Sequence, residues 1–213
     1  MDHWYCRPIA DVEFFAELEI KRSKFLCFIR RAETEEQARA FISELKRSYP
    51  DARHHCSAYI YHVDGAQAVH RSNDDGEPSG TAGIPMLDML RGSGYQDIVA
   101  VTVRYFGGTK LGAGGLVHAY SESVGSCLAQ VKTVERHKKE LYIVSFTHAD
   151  AGRIEADLRA HKVAIVDTQY LERVYFTLAV DPGGKTELAA LVASLTRAEP
   201  RLVAAGIDWV ELS

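Results

Sequence analysis

Two short segments concentrate the residues that could do chemistry. The first, "NDDGEPSGTAG" (Asn73 to Gly83), sets Asp74, Asp75 and Glu77 among glycines. The second, "YFGGTKLGAGG" (Tyr105 to Gly115), holds five glycines in eleven residues, with Lys110 at its centre. Glycine at that density lets a backbone approach something that side chains would exclude. A glycine loop that leaves a strand and opens a helix offers an anion its free N–H groups and the helix dipole. Arg104 and Lys110 would add charge there. The sharper nucleotide motifs are absent. Lys110 is followed by Leu111 at the wrong spacing for a P-loop, and the pattern begun by Gly112-Ala113-Gly114 meets Val117 where a dinucleotide fingerprint needs glycine. A purely architectural reading competes, in which Gly107-Gly108 and Gly114-Gly115 serve positive φ and close packing.

The acidic residues are hard oxygen ligands, but their spacing is not that of a calcium loop and no terminal Glu follows at the required offset. His54, Cys56 and His62 share parity on one stretch of strand, yet zinc needs a second short-spaced pair and none exists. His118 lies beyond the glycine loop with no assignable Ser or Cys partner. No nucleophile elbow, H-E-x-x-H or S-x-x-K occurs. The expectation is no metal, no cofactor and no assignable catalytic residue.

Composition narrows the class further. The 213 residues are 46% apolar and 25% charged, ordinary for a globular chain of one large or two small domains. A formal net charge of −4 excludes an overall basic field, though not a local patch. No apolar run approaches the length of a membrane span, and the first residues do not read as a secretory signal. Cys6, Cys27, Cys56 and Cys127 are scattered, which suits reduced thiols in a cytoplasmic protein.

The elements that must carry the two segments follow from periodicity. "DVEFFAELEIKRSKFLCFIRRA" reads as two strands meeting near Lys21-Arg22-Ser23. A helix follows, capped by Thr34 with Gln37 three residues on, burying Ala38, Phe41, Ile42 and Leu45. His54 to Val63 is a strand, turned by Asp64-Gly65 towards "AQAVHRS". A short helix with Pro85 near its start ends at Gly92 and Gly94. Asp97 to Phe106 is apolar on both faces and belongs at the centre of a sheet. The glycine loop and a helix come next. Beyond the charged Glu135 to Glu140 the order is β-α-β-β-α-β, that of a ferredoxin-like unit. The domain boundary falls near Val131 to Lys139.

"DDGEPSGTAGIPMLDML" joined to "VAVTVRYFGGTKLGAGGLVHAYSESV" resembles the signature of the IMPACT/YigZ family, in its two-domain bacterial form. The resemblance implies an α+β chain. Residues 1–134 would form an IMPACT N-terminal domain like the second domain of ribosomal protein S5. Residues 135–213 would form a ferredoxin-like domain similar to the C-terminal domains of elongation factor G. Eukaryotic relatives act in translational control, binding a ribosome-associated activator. The resemblance therefore implies association with RNA, the ribosome or a translation-associated protein. Mapped onto this sequence, the binding surface takes Arg71, Asp74, Asp75, Gly76, Glu77, Pro78 and Thr81 from one loop. Tyr105, Gly107, Gly108, Lys110 and Gly112 come from the other, with Arg104 beside them. Two readings stand. One is a non-enzymatic binding protein; the other is an enzyme of a phosphorylated metabolite or peptide that uses the same loops.

Overall fold

The computed structural model describes residues 3–212. They divide into two units, one of Tyr5–Val134 and one that runs from Glu135 onward and takes in His3 and Trp4. Strand β1 (Trp4–Pro8) is followed by β2 (Phe14–Ile20), β3 (Ser23–Arg31), α1 (Glu35–Ser48), β4 (His54–Tyr61) and β5 (Val69–Asn73). Then come α2 (Gly83–Ser93), β6 (Ile98–Tyr105) and α3 (Gly112–Leu128).

Strand β6 organises the N-terminal unit. Seven of its eight residues are buried, because the sheet in the order β2-β3-β6-β4-β5 is covered on both faces. Alternation sorts them. Ile98 and Ala100 face a layer made by α2 and α3, with Met86, Leu90, Leu116, Tyr120 and Val124. Val99, Val101 and Val103 face α1, through Ala38, Phe41 and Leu45. All neighbouring strands pair antiparallel.

Local signals act as their chemistry requires. Thr34 Oγ1 accepts the Gln37 N–H at 3.3 Å. The reciprocal side-chain bond lands one residue early, on the Glu33 N–H at 2.7 Å. Ile42 sits at the edge of the α1 core rather than inside it. Gly94, with φ of 73°, ends α2 in the left-handed region, whereas Gly92 lies within the helix.

The C-terminal unit continues with β7 (Thr133–Phe146), α4 (His148–Ala160), β8 (Ala164–Tyr170), β9 (Val174–Val180), α5 (Lys185–Thr196) and β10 (Val203–Leu212). Here β7 is flanked by β10 and β9, and β9 by β8, all antiparallel. That is the ferredoxin-like arrangement. One face of the sheet packs Val144, Phe146, Phe176 and Leu178 against Ile154, Leu158, Leu188 and Val192. The run Glu135 to Glu140, placed by the sequence reading ahead of the first strand of this unit, is instead part of β7. Its ladder with β10 runs from Glu135↔Leu212 to Ile143↔Val203, so backbone pairing sets its state rather than apolar alternation. Strand β1 has no apolar alternation either and no counterpart in the sequence reading. No helix among the described residues is long and apolar enough to cross a membrane.

The glycine loop has one position at which close approach is obligatory. A Cβ on Gly107 would overlap the backbone of Arg22 and Ser23, at the turn between β2 and β3, and the Gly107 N–H donates to Ser23 Oγ at 3.1 Å. Gly114, in the first turn of α3, has open space around it. Gly107→Ala is therefore expected to lower stability by about 1–3 kcal/mol or more. Gly114→Ala should raise it by up to about 1 kcal/mol. Urea unfolding of the two variants beside the parent checks both signs.

Candidate functional site

The ends of β4 and β6, the acidic loop and the start of α3 enclose a cleft of about 400 Å³ within the N-terminal unit. Strand parity explains what faces it. On β6, Arg104 shares the face of Ile98 and Ala100; on β4, His54 shares that of Cys56, Ala58 and Ile60. Both side chains thus enter the layer under α3. Arg53 and Lys110, both exposed, and Pro78 stand at the walls. Phe106 stands beside them, 45% exposed.

Glu77 forms the floor. Its carboxylate takes the Arg104 Nη1 donor at 2.5 Å and the Tyr120 O–H at 2.8 Å on one oxygen. The ion pair is sealed, with side-chain exposures of 3% and 7%. Removing either partner would strand a buried charge, at a cost of about 3–5 kcal/mol. The Arg104 guanidinium also lies over the rings of Phe25 and Phe106, at 5.4 and 5.8 Å. Its Nε–H is buried with no hydrogen-bond partner. Burial pushes the Cys56 thiol up to about 12, and the charges of Glu77, Asp75 and Asp74 reinforce the shift over the opposing effect of its hydrogen bond to the Tyr120 oxygen. Burial also raises the Tyr120 hydroxyl, with Cys56 and Glu77 adding to it. Both groups are protonated donors at neutral pH.

His54 has a fixed orientation. Its Nδ1 lies 2.9 Å from the Asp75 carbonyl, which only accepts, so Nδ1 carries the proton. Nε2 is turned to the cleft, 3.9 Å from Glu77 Oε1. The start of α3 completes the wall with Gly112 and Ala113. Its N-cap, Leu111, makes no side-chain capping bond, and its first turn holds no acidic residue. The first N–H groups of a 17-residue helix are left to whatever enters.

The acidic loop uses its carboxylates internally. Asp74 Oδ1 accepts the N–H groups of Ala82 and Gly83, at 3.0 and 2.8 Å, and Oδ2 that of Gly80 at 2.9 Å. It thereby caps α2, whose own N-cap residue, Ala82, cannot. Asp75 holds Lys46 Nζ and the His55 N–H, each at 2.7 Å. Thr81, buried, donates to the Pro78 carbonyl at 2.6 Å. Among the described residues no group of three or more His, Cys, Asp and Glu side chains is placed to hold a metal ion.

Of the residues singled out from sequence, Glu77, Pro78, Arg104, Lys110 and Gly112 line the cleft. Asp74, Asp75, Gly76 and Thr81 build the loop behind it, while Gly107 and Gly108 are not in its lining, Gly107 packing against the β2–β3 turn. Arg71 and Tyr105 lie elsewhere. Arg71 pairs with Tyr59 across β5 and β4, and cross-strand partners share a face, here that of α1. Tyr105 has the same parity and donates its O–H to Asp51 at 2.9 Å. His118 is on the solvent side of α3, 3.2 Å from Glu122. Arg53 and Tyr120 were not singled out from sequence. The signal for Tyr120 was its place on the α3 face with Leu116 and Val124, where a buried hydroxyl needs an acceptor.

The acidic loop sets an acid limit on the fold. Burial draws the Asp74 carboxyl upward, but the Gly80, Gly83 and Ala82 N–H groups outweigh it and hold it below its usual 3.8. Asp75 is likewise pulled up by burial and held low by Lys46 and the His55 N–H. A depressed folded-state value gives stability that is fully present above the unfolded value and is lost as pH falls through the folded one. Asp74→Ala should cost about 1–2 kcal/mol at neutral pH. Its deficit should shrink as pH falls below about 4, because the parent then loses the same bonds. Denaturant curves at a series of pH values measure the convergence.

The sequence model of the Impact N-terminal domain matches residues 21–128, and that of a "Domain of unknown function (DUF1949)" matches residues 144–199. "IMPACT family member YvyE" of Bacillus subtilis is 36% identical over 92% of this chain and 89% of its own length. "IMPACT family member YigZ" of Escherichia coli is 35% identical over 96% and 98%. A crystal structure of a hypothetical protein matches at 35% identity with a TM-score of 0.62, covering 96% of this chain and 98% of that one. Two domain models in series and relatives matched nearly end to end give one conclusion: the chain belongs to the IMPACT family.

Proposed function

We propose that the N-terminal domain, residues 1–134, is a non-enzymatic binding module whose cleft takes phosphate groups of RNA. The protein would act in translation regulation, in the cytoplasm, on the ribosome or an RNA-bearing translation partner. The observation that carries this reading is the uncapped start of α3 meeting Arg53, Arg104 and Lys110 in one cleft. Phosphate is the biological anion best matched to backbone N–H groups, a guanidinium and a lysine together. Family membership supports the link to translation. The formal charge of −4 means that the attraction is local, so geometry must select the partner.

The competing enzyme reading rests on His54, whose Nε2 faces the cleft. Acid–base work would need a second group of different affinity for protons. Glu77 is committed to Arg104 and Tyr120, while Cys56 and Tyr120 hold their protons. Binding without turnover is the better account of those commitments.

The test is co-sedimentation with ribosomes and binding to single-stranded RNA across a salt series. Lys110→Ala should weaken binding and reduce the slope of log affinity against log salt by about 0.7–1. Ala113→Asp adds a carboxylate at the start of α3. It should stabilise the helix by about 0.3–1 kcal/mol while abolishing binding, which separates loss of function from loss of fold. Arg71→Ala, on the other face of the sheet, serves as the control that binds like the parent. Unchanged binding by both cleft variants would sink the proposal.

A further inference from the structure

We infer that the cleft recognises an end rather than a strand: its ligand is a terminal phosphomonoester carried by a nucleoside, with the adjoining base resting on Phe106. This rests on the anion-binding reading above and sharpens it to one class of ligand.

Charge is the first argument. The cleft gathers Arg53, Arg104 and Lys110 against a single carboxylate, Glu77. Neither neighbouring carboxylate of the acidic loop lines the cleft: Asp75 is paired with Lys46, and Asp74 accepts from the N–H groups that start α2. Among the groups that line the cleft, two positive charges are in excess, before the helix dipole is added. A phosphodiester brings about one negative charge, whereas a phosphomonoester brings about 1.5–2 at neutral pH. Only the monoester balances the site.

Donor inventory is the second. The Arg104 side chain is 7% exposed and commits Nη1 to Glu77, while its Nε–H is buried with no partner. A buried donor left unsatisfied is costly in a folded protein, and a guanidinium edge matches two phosphate oxygens at once. His54 adds a constraint of a different kind. With Nδ1–H fixed on the Asp75 carbonyl, Nε2 faces the cleft as an acceptor or, if protonated, as a further cation. A monoester oxygen can share a proton with such a nitrogen, and a diester in mid-strand has none to share.

Size is the third. About 400 Å³ is room for one nucleotide and not for a run of them. Phe106, 45% exposed at the wall, offers a ring face with the Arg104 guanidinium 5.8 Å from its centroid. An exposed aromatic beside a phosphate pocket is how single bases are held by stacking.

The same chemistry has two sources, a free nucleoside 5′-monophosphate or the 5′-phosphorylated end of an RNA. The experiment uses the full-length protein and one short single-stranded RNA, labelled at its 3′ end and carrying either a 5′-phosphate or a 5′-hydroxyl. The phosphorylated strand is expected to bind about tenfold tighter or more. Lys110→Ala and Phe106→Ala, both at exposed side chains, should each bring the two strands together without loss of folded signal. Adenosine 5′-monophosphate is then added as competitor. Displacement at the concentration expected from the strand's own affinity assigns the site to free nucleotides. Failure to displace assigns it to RNA ends. Equal binding of the two strands, both weakened by Lys110→Ala, would overturn end recognition and leave the strand-binding reading intact. No binding of either strand would remove both.

Discussion

The buried pair of Glu77 and Arg104 is the contact on which the cleft depends. It ties the acidic loop to the end of β6, and Tyr120 brings α3 to the same carboxylate oxygen. Three segments far apart in sequence meet at one atom. Desolvating both charges is expensive, so the pair adds less to net stability than its short distance suggests. What it supplies is position, since an unpaired charge in any alternative arrangement would be far worse. The guanidinium also lies over the rings of Phe25 and Phe106, so with the Glu77 contact its orientation is set before any ligand arrives. Preorganisation of that kind lowers the cost of binding.

The two helices on this face of the sheet are treated oppositely, and that asymmetry makes the site. Helix α2 begins at Ala82 with no side-chain cap of its own, and Asp74 reaches across the loop to supply one. Helix α3 begins at Leu111 with no cap, no acidic residue and a first turn of glycine and alanine. One dipole is satisfied internally and the other is left open beside three cations. The carboxylates that look like ligands in the sequence are therefore structural, and the glycines are of two kinds. Gly107 admits the β2–β3 turn, whereas Gly112 to Gly115 leave the helix start bare.

How much of this was legible in the sequence depended on whether a residue's role was set locally. Strand β6 was legible because its apolar run demands cover on both faces, and α1 because Thr34 and Gln37 mark its start. The βαββαβ order was legible because each element of the C-terminal unit has its own periodicity. Strand β1 and the charged start of β7 were not, because they owe their state to partners elsewhere in the chain. Site residues divided in the same way. Arg104 and Lys110 flank the glycine loop and reach the cleft. Arg71 flanks the acidic loop just as closely, but its register against Tyr59 sends it to the other face. Tyr120 enters through helix periodicity combined with tertiary packing, and Arg53, in the bend before β4, through tertiary packing alone.

The anion site proposed above would sit in a chain of net negative charge, and that contrast bears on selectivity. At physiological ionic strength charges beyond about 8 Å are largely screened, so a ligand in the cleft is governed by Arg53, Arg104, Lys110 and the helix start. A polyanion lying along the outer surface instead meets an excess of carboxylates, 29 against 25 basic residues over the whole chain. Non-specific adhesion to nucleic acid is thereby disfavoured, while a phosphate that fits the cleft gains nearly everything the local donors offer. On the proposed reading, the acidic balance and the basic cleft are two halves of one discrimination, the first rejecting what the second does not enclose.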